Sequence, residues 1–544
     1  MGEGDILVIF EAFRRFRVER PNAPAFLVSS GDRSVPISWK QFTDDIAAVV
    51  WAIGKYCPRA KIGILGENSY QWIVAHAACL LSGSCAVPLD VNLSADEICE
   101  RLAFVDAKTL AHSSLHGDKA FEVARRMPNI LRVGFSSLAA DSFMEGGHTD
   151  EAFALWDGPG PQREEEDGSP TVATMVFTSG TTTVSRGAEL TLAAIESFAE
   201  SGSKVFQMGM TDRSLMLLPL HHIFGIAATY LMLVNGVALG VCPDFRRIYD
   251  AVNRFRVDFA FLVPALADIL AAKCEQHGVR DLKWVLVGGA PISPRTDDRL
   301  AALGIRVLTG YGLTETAALF SLAPCGEPSR RGSAGKVSPL PGVETKVSEK
   351  GELMVRGPNV MLRYHCAPEE TAAVLSPDGW FRTGDIGRID ADGYVWITGR
   401  AKRTIVLSSG KKIAPEELEG LLLSCPGILE VVVTGESESR TITAEIFADI
   451  PEVEVRGAVA AVNRTLPIYK RIKRVVVRVA PFPRTSSGKI RLPIAPPPKS
   501  RQKSRHALPV PHGWWLALAL LAIVALALVV IAVCFILFLS TGAE

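Results

Sequence analysis

Between residues 60 and 310 the chain alternates short β-branched runs with longer helical stretches. KIGILGE is followed by NSYQWIVAHAACLLSG and then CAVPLD. The same order returns as VALGV before a helix from Arg246, DFAFLV before ALADILAAKCEQ, and WVLVGG before PRTDDRLAALG. Strand-sized runs separated by helix-sized runs pair through crossovers, so the pattern predicts an α/β fold that takes its ligands where strands end. A further run, IRVLTG, precedes a turn. The composition changes near Gly399, where GILEVVVTG, TITAEIF and KRVVVRVA accompany the helical APEELEGLLLS. The expected architecture is a large N-terminal α/β domain over 1–398 and a small α+β domain over 399–492.

With 544 residues there is ample chain for several domains. Lys plus Arg number 58 against 58 Asp plus Glu, which argues against a nucleic-acid partner, and 48% apolar residues exclude a disordered chain. The ten cysteines form no CxxC pair, so neither a zinc knuckle nor a disulfide framework is expected, and they read as reduced, mostly buried thiols. The acid-rich, Gly/Pro-rich stretch 141–170 reads as an exposed loop without function.

Residues 514–539 carry no charge over 26 positions. As a helix they would be about 39 Å long, so they predict a C-terminal transmembrane helix. Lys499, Arg501, Lys503 and Arg505 precede it, and the positive-inside rule then places the catalytic domains in the cytoplasm, on a single-pass membrane anchor. Residues 493–513 read as a Pro-rich, basic linker. The N-terminus shows no signal peptide, and Ile6 fails the myristoylation pattern.

The most informative stretch is TMVFTSGTTTVSRGAELT over 174–191, a β-branched strand running into a small-residue loop. Its backbone N–H groups and hydroxyls, from Thr178, Ser179, Gly180, Thr181 and Thr182, suit a polyphosphate. No GK[ST] closes it, so it is not a Walker A loop. Downstream come GGAP, GYGLTETA, GWFRTGD, TGRAKRTIVLSSGKKIAPEELE and PRTSSGKIRL. In this order and spacing the chain resembles the adenylate-forming superfamily from about Phe10 to Leu492. Within it, HHxFG and VLSSGKKIAPEELE look most like long-chain fatty-acid CoA ligases.

The resemblance implies a mobile small domain that turns over a nucleotide and acyl pocket. Carried over by position, Tyr311 resembles the ring that stacks on adenine, with Gly288, Gly289 and Ala290 along the base and Gly312 beside the ring. Asp385 resembles the carboxylate that takes the ribose hydroxyls, and Arg400 lies near sugar and phosphate. Thr314 matches the α-phosphate contact and Glu315 the Mg²⁺ ligand. Lys489 matches the adenylation lysine, and Arg186 the loop cation. His222, with His221 beside it, matches the residue between acyl pocket and ATP. Gly410, near Lys411 and Lys412, lies in the part of the small domain that the family uses by the thiol tunnel.

The implied reaction joins a fatty acid to ATP, giving acyl-AMP and pyrophosphate, after which coenzyme A displaces AMP. The hinge is expected around Gly399, where glycine absorbs φ/ψ change. An acyl carrier protein, another acceptor or no thiol at all would use the same first step. A catalytically weak, membrane-tethered binding scaffold is the reading from a different class. The chain departs from the family loop at Thr183, Ser185 and Arg186, and Arg403 stands where an acid usually follows the lysine matched by Lys402, which puts domain-closure contacts in question.

Overall fold

The computed structural model describes residues 8–30, 33–135, 154–157, 170–178, 186–328, 330–337, 342–407, 411–436, 441–484 and 490. The chain divides between residues 492 and 493, and the described residues all belong to the first unit. A seven-stranded sheet has the order Arg363–Tyr364, Arg186–Thr191, Val172–Thr178, Cys85–Leu89, Lys61–Leu65, Thr109–His112, Leu131–Gly134. Its strands are parallel from Val172–Thr178 to the Leu131–Gly134 edge and antiparallel on the other side. A five-stranded sheet starts with parallel Phe259–Leu262, Trp284–Val287 and Arg306–Leu313, then turns antiparallel through Ala318–Leu322 and Lys336–Val337.

These strands fall on the runs that alternate in the sequence. One differs: IRVLTG does not stop at a turn but runs on through Tyr311 to Leu313 and pairs with Ala318–Leu322. Two further four-stranded sheets complete the large domain, of which the antiparallel Glu344–Val347, Glu352–Arg356, Phe381–Ile389, Val395–Arg400 leads to the small one. The small domain pairs Ile428–Glu436, Thr441–Ala448 and Arg474–Arg478 with helices Pro415–Leu423 and Glu452–Thr465. Its apolar centre, including Ile413, Leu418, Leu422, Val433 and Ile446, is separate from those of the large domain. The small domain therefore has a core of its own, in keeping with a two-domain α/β architecture.

The transmembrane expectation is corrected. Among the described residues no helix is long and apolar enough to cross a membrane. The longest, Trp39–Tyr56, has 18 residues and carries Lys40, Asp44, Asp45 and Lys55, whereas a span needs about 20 consecutive apolar residues. The buried helices Tyr70–Leu81 and Ile223–Val234 have 12 residues each, too few for a bilayer core. The expected span at 514–539 and the linker at 493–513 lie outside the described residues. An uncharged run by composition is not a placed helix, so the fold, function, membrane partner and cytoplasm-facing membrane location assigned from it are withdrawn. The nine described cysteines are free thiols, but only Cys79, Cys85, Cys242 and Cys274 are buried, fewer than expected.

Helix Tyr70–Leu81 starts where Ser69 Oγ accepts from Trp72 N at 3.2 Å, and all of its residues but Gln71 are buried. Within it His76 is fully buried, stacked on Trp72 at 5.1 Å, with Nδ1 2.8 Å from the Tyr230 hydroxyl. Burial pushes its imidazole down to about 3. Above pH 6.5 folded and unfolded chains both hold it neutral. Below that the unfolded chain binds a proton that the folded chain refuses, so stability falls by about 1.4 kcal/mol per pH unit until the folded value is reached. The variant His76→Gln keeps a polar partner for Tyr230 without titrating. Urea-unfolding free energies at pH 7 and pH 5 should show the wild type losing about 2 kcal/mol more than the variant. An equal loss in both would show that His76 does not set the acid sensitivity.

Candidate active site

The site begins with three close backbone approaches. Gly310 and Gly312 flank Tyr311 in strand Arg306–Leu313. A Cβ on Gly310 would lie 2.6 Å from Leu319 Cδ1, and one on Gly312 only 1.6 Å from the Ala318 carbonyl oxygen. The strand then enters the turn Thr314–Thr316, fixed by the Thr316 hydroxyl, which accepts from Leu313 N at 2.9 Å. Ala317 and Ala318 leave the turn at φ 47° and 95°, in the region that L side chains seldom adopt. The third approach is at Gly288, which follows strand Trp284–Val287. Its Cβ would lie 3.0 Å from the Phe224 ring and 3.6 Å from the Gly310 carbonyl oxygen. The next residue, Gly289, has φ 83° before Ala290.

Tyr311 is buried and edge-on to Phe320 at 5.0 Å. Its hydroxyl donates to Asp385 Oδ2 at 2.6 Å. Asp385, 3% exposed, sits directly opposite Arg400 across the Phe381–Ile389/Val395–Arg400 pair, and Arg400 Nε meets Oδ1 at 2.9 Å. Burial, then the Asp385 charge, holds the Tyr311 hydroxyl well above its ordinary pKa, so it remains a donor. Two residues singled out in the sequence, Tyr311 and Arg400, thus converge on the carboxylate of a third.

Glu315 accepts from the Tyr364 hydroxyl at 2.6 Å through Oε1, and its backbone oxygen accepts from Met361 N at 2.8 Å. The Arg186 guanidinium lies 5.2 Å from the Tyr364 ring centre. Thr178 and Arg186 pair across the base of the loop between them. Ser179, Gly180, Thr181, Thr182, Thr183 and Ser185, like Gly410 and Lys489, lie outside the described residues. The Lys489 segment is bracketed by an antiparallel bridge between Arg484 and Ile490. Buried Glu430 holds its approach, accepting from Phe482 N at 2.7 Å and pairing with Arg484.

His222 caps helix Ile223–Val234, its backbone oxygen accepting from Gly225 N at 3.0 Å. Its ring is 4.3 Å from that of His221, whose Nε2 lies 3.5 Å from Asp90 Oδ2 at the end of Cys85–Leu89. Burial lowers the His221 pKa against the opposing pull of Asp90. Asn68 ties down the preceding LPL segment, donating to Leu218 O at 2.8 Å and accepting from Leu220 N at 3.1 Å. Phe224, two residues along from His222, faces Gly288 and through it the Gly310 carbonyl next to Tyr311, whose hydroxyl shares Asp385 with Arg400.

Sequence reasoning missed Tyr364, Glu189, Asn68 and Glu430. A lone acid in the strand-sized stretch RGAELT was the one available sign for Glu189. At the domain junction, Gly399 is not in the left-handed region; its Cβ would lie 2.8 Å from both Ala414 Cβ and Glu416 Oε2. The glycine admits the start of helix Pro415–Leu423. Arg403 pairs with Glu416 at 2.9 Å and Glu419 at 2.6 Å, so the base that replaces the usual acid is neutralised within the small domain.

Residues 13–365 match the AMP-binding enzyme family, and residues 402–493 match its C-terminal domain. The chain belongs to the AMP-binding enzyme family. It is 29% identical to an indoleacetate–CoA ligase of Aromatoleum aromaticum over 80% of this chain and 87% of that one. It is 26% identical to a long-chain fatty-acid–CoA ligase of Mycobacterium tuberculosis over 86% and 94%. The structure of an anthranilate CoA ligase with anthranoyl-AMP superposes with TM-score 0.75 at 22% identity, covering 89% of this chain and 95% of that one. The relatives' acids differ in kind, so the particular likeness to long-chain fatty-acid ligases gives way to the broader class of AMP-forming acid–thiol ligases.

Proposed function

We propose that the protein activates a carboxylic acid, a long-chain fatty acid, through acyl-AMP and passes the acyl group to coenzyme A, using a large domain over 1–398 and a small one over 399–492. The observation that carries the reading is the Tyr311–Asp385–Arg400 cluster beside the glycine approaches at Gly288, Gly310 and Gly312, with Glu315 on the turn that follows the Tyr311 strand. In the first step the acid's carboxylate oxygen attacks the α-phosphorus of ATP. The bond to the β-phosphate oxygen breaks, and pyrophosphate leaves with the electron pair. In the second the coenzyme A sulfur attacks the acyl carbon, AMP leaves, and the thiol proton passes to solvent.

Asp385 takes the ribose hydroxyls while Tyr311 and Arg400 fix its orientation, and Gly288, Gly289, Ala290 and Gly312 give the base close access to backbone. Thr178, Ser179, Gly180, Thr181, Thr182 and Arg186 take the phosphates, Thr314 the α-phosphate, and Lys489 the charge that develops as pyrophosphate leaves. His222 separates acid from nucleotide, and Gly410 borders the thiol. Among the described residues no three His, Cys, Asp or Glu side chains form a metal cluster. A lone Glu315 fits Mg²⁺ that arrives on the phosphates and keeps its waters. There Mg²⁺ would offset phosphate charge.

The fatty-acid assignment is supported by the apolar, buried helix Ile223–Val234 that begins at His222, with Phe224 against Gly288. Pyrophosphate release should be measured with octanoate, palmitate, indoleacetate and benzoate, with and without coenzyme A. The expected result is preference for palmitate and formation of palmitoyl-CoA. Preference for an aromatic acid would contradict the substrate class, and adenylate without thioester would contradict the acceptor.

A further inference from the structure

Glu189 lies in the middle of strand Arg186–Thr191 and is 3% exposed. A carboxylate so buried needs partners. It has His365 Nδ1 at 2.6 Å and Arg363 Nε at 2.8 Å, while its backbone oxygen accepts from Leu362 N and Gly187 O accepts from His365 N, both at 2.8 Å. The two residues flanking Tyr364 are thus held by one acid on the neighbouring strand. Because side chains alternate along extended backbone, Tyr364 points the other way. There its hydroxyl donates to Glu315 Oε1 at 2.6 Å, and its ring carries the Arg186 guanidinium at 5.2 Å. Among the described residues no hydrogen-bond partner falls on the other Glu315 oxygen.

Resting on the function proposed above, we propose that Tyr364, clamped to the sheet edge by Glu189, is a positioning residue. It fixes one oxygen of Glu315 so that the other faces the Mg²⁺ that enters with ATP, and it stations Arg186 beside the same phosphates. It touches neither nucleotide nor acid, so its effect should be confined to the metal-bearing polyphosphate.

The test is calorimetric binding of MgATP and of AMP by the full chain. Tyr364→Phe keeps the ring beside Arg186 and removes the hydroxyl, which meets both Glu315 and Arg186. It should weaken MgATP about tenfold, the size of one buried hydrogen bond to a charged group, and change AMP by less than about twofold. In a Glu315→Gln background the same change should have a smaller effect. Unchanged MgATP binding by Tyr364→Phe, equal weakening of AMP, or an undiminished effect without Glu315 would each overturn the proposal. A wild type that binds no MgATP would overturn the function itself and this proposal with it, so the two failures are distinguishable.

Discussion

Changing Asp385 to asparagine is expected to lower acid-dependent pyrophosphate release by about 10²-fold or more. The carboxylate is 3% exposed and serves two partners, the Tyr311 hydroxyl at 2.6 Å and Arg400 Nε at 2.9 Å. Asparagine keeps the shape but removes the charge and turns one acceptor into a donor. Arg400 is half exposed, so water screens part of the loss, and about 2–3 kcal/mol is a reasonable cost. At about 1.4 kcal/mol per tenfold this gives about 30- to 150-fold, and the lost ribose contact brings the total to the expected 10²-fold or more. Tyr311→Phe alone should cost about tenfold, and the two changes together less than their product, because they remove members of one network. Rates of pyrophosphate release measured on all three variants would decide it. A fully active Asp385→Asn protein would remove the nucleotide assignment from this carboxylate.

Gly312→Ala should be the most damaging single methyl in the large domain's site. Its Cβ would fall 1.6 Å from the Ala318 carbonyl oxygen, 2.5 Å from the Ala318 carbonyl carbon and 2.7 Å from Leu319 Cα, all backbone atoms. No rotamer change relieves a collision with backbone. The strand pair must open, carrying Thr314 and Glu315 with it. Overpacking a side-chain core costs about 1–3 kcal/mol, and a rigid backbone neighbour should exceed that. The control is Gly54→Ala, in helix Trp39–Tyr56 with nothing within 4 Å of its Cβ, where alanine should gain up to about 1 kcal/mol. Urea midpoints of the two variants should therefore move in opposite directions. A Gly312→Ala protein as stable as wild type would mean that the strands do not approach so closely.

How far the fold can be read in advance depends on what kind of signal each element leaves. Strands such as Trp284–Val287 and Phe259–Leu262 are buried, so they appear as continuous apolar runs. Tyr311, Glu315 and Asp385 stand in motifs whose spacing survives as sequence, although the hydrogen bond between Tyr311 and Asp385 joins positions 74 residues apart and leaves no local trace. Tyr364 belongs to a two-residue strand, too short for any periodicity. Its role emerges only once Glu189, 175 residues earlier, is seen to hold Arg363. Gly399 was legible as a position that needs glycine, and in this conformation the close approach of Ala414 and Glu416 requires it. An apolar tail, by contrast, states hydropathy alone; neither a helix nor a membrane follows from it without a placed structure.

The central claim is that an acyl-adenylate forms in this site before any thiol is consumed. Full-length protein should be mixed with α-phosphate-labelled ATP, Mg²⁺ and palmitate without coenzyme A, quenched within one turnover, and the labelled products separated. The account predicts labelled palmitoyl-AMP in amounts near that of enzyme, lost in Asp385→Asn, which disappears as palmitoyl-CoA and labelled AMP form when coenzyme A is added. Labelled ADP, or palmitoyl-CoA with no adenylate at any time, would contradict it.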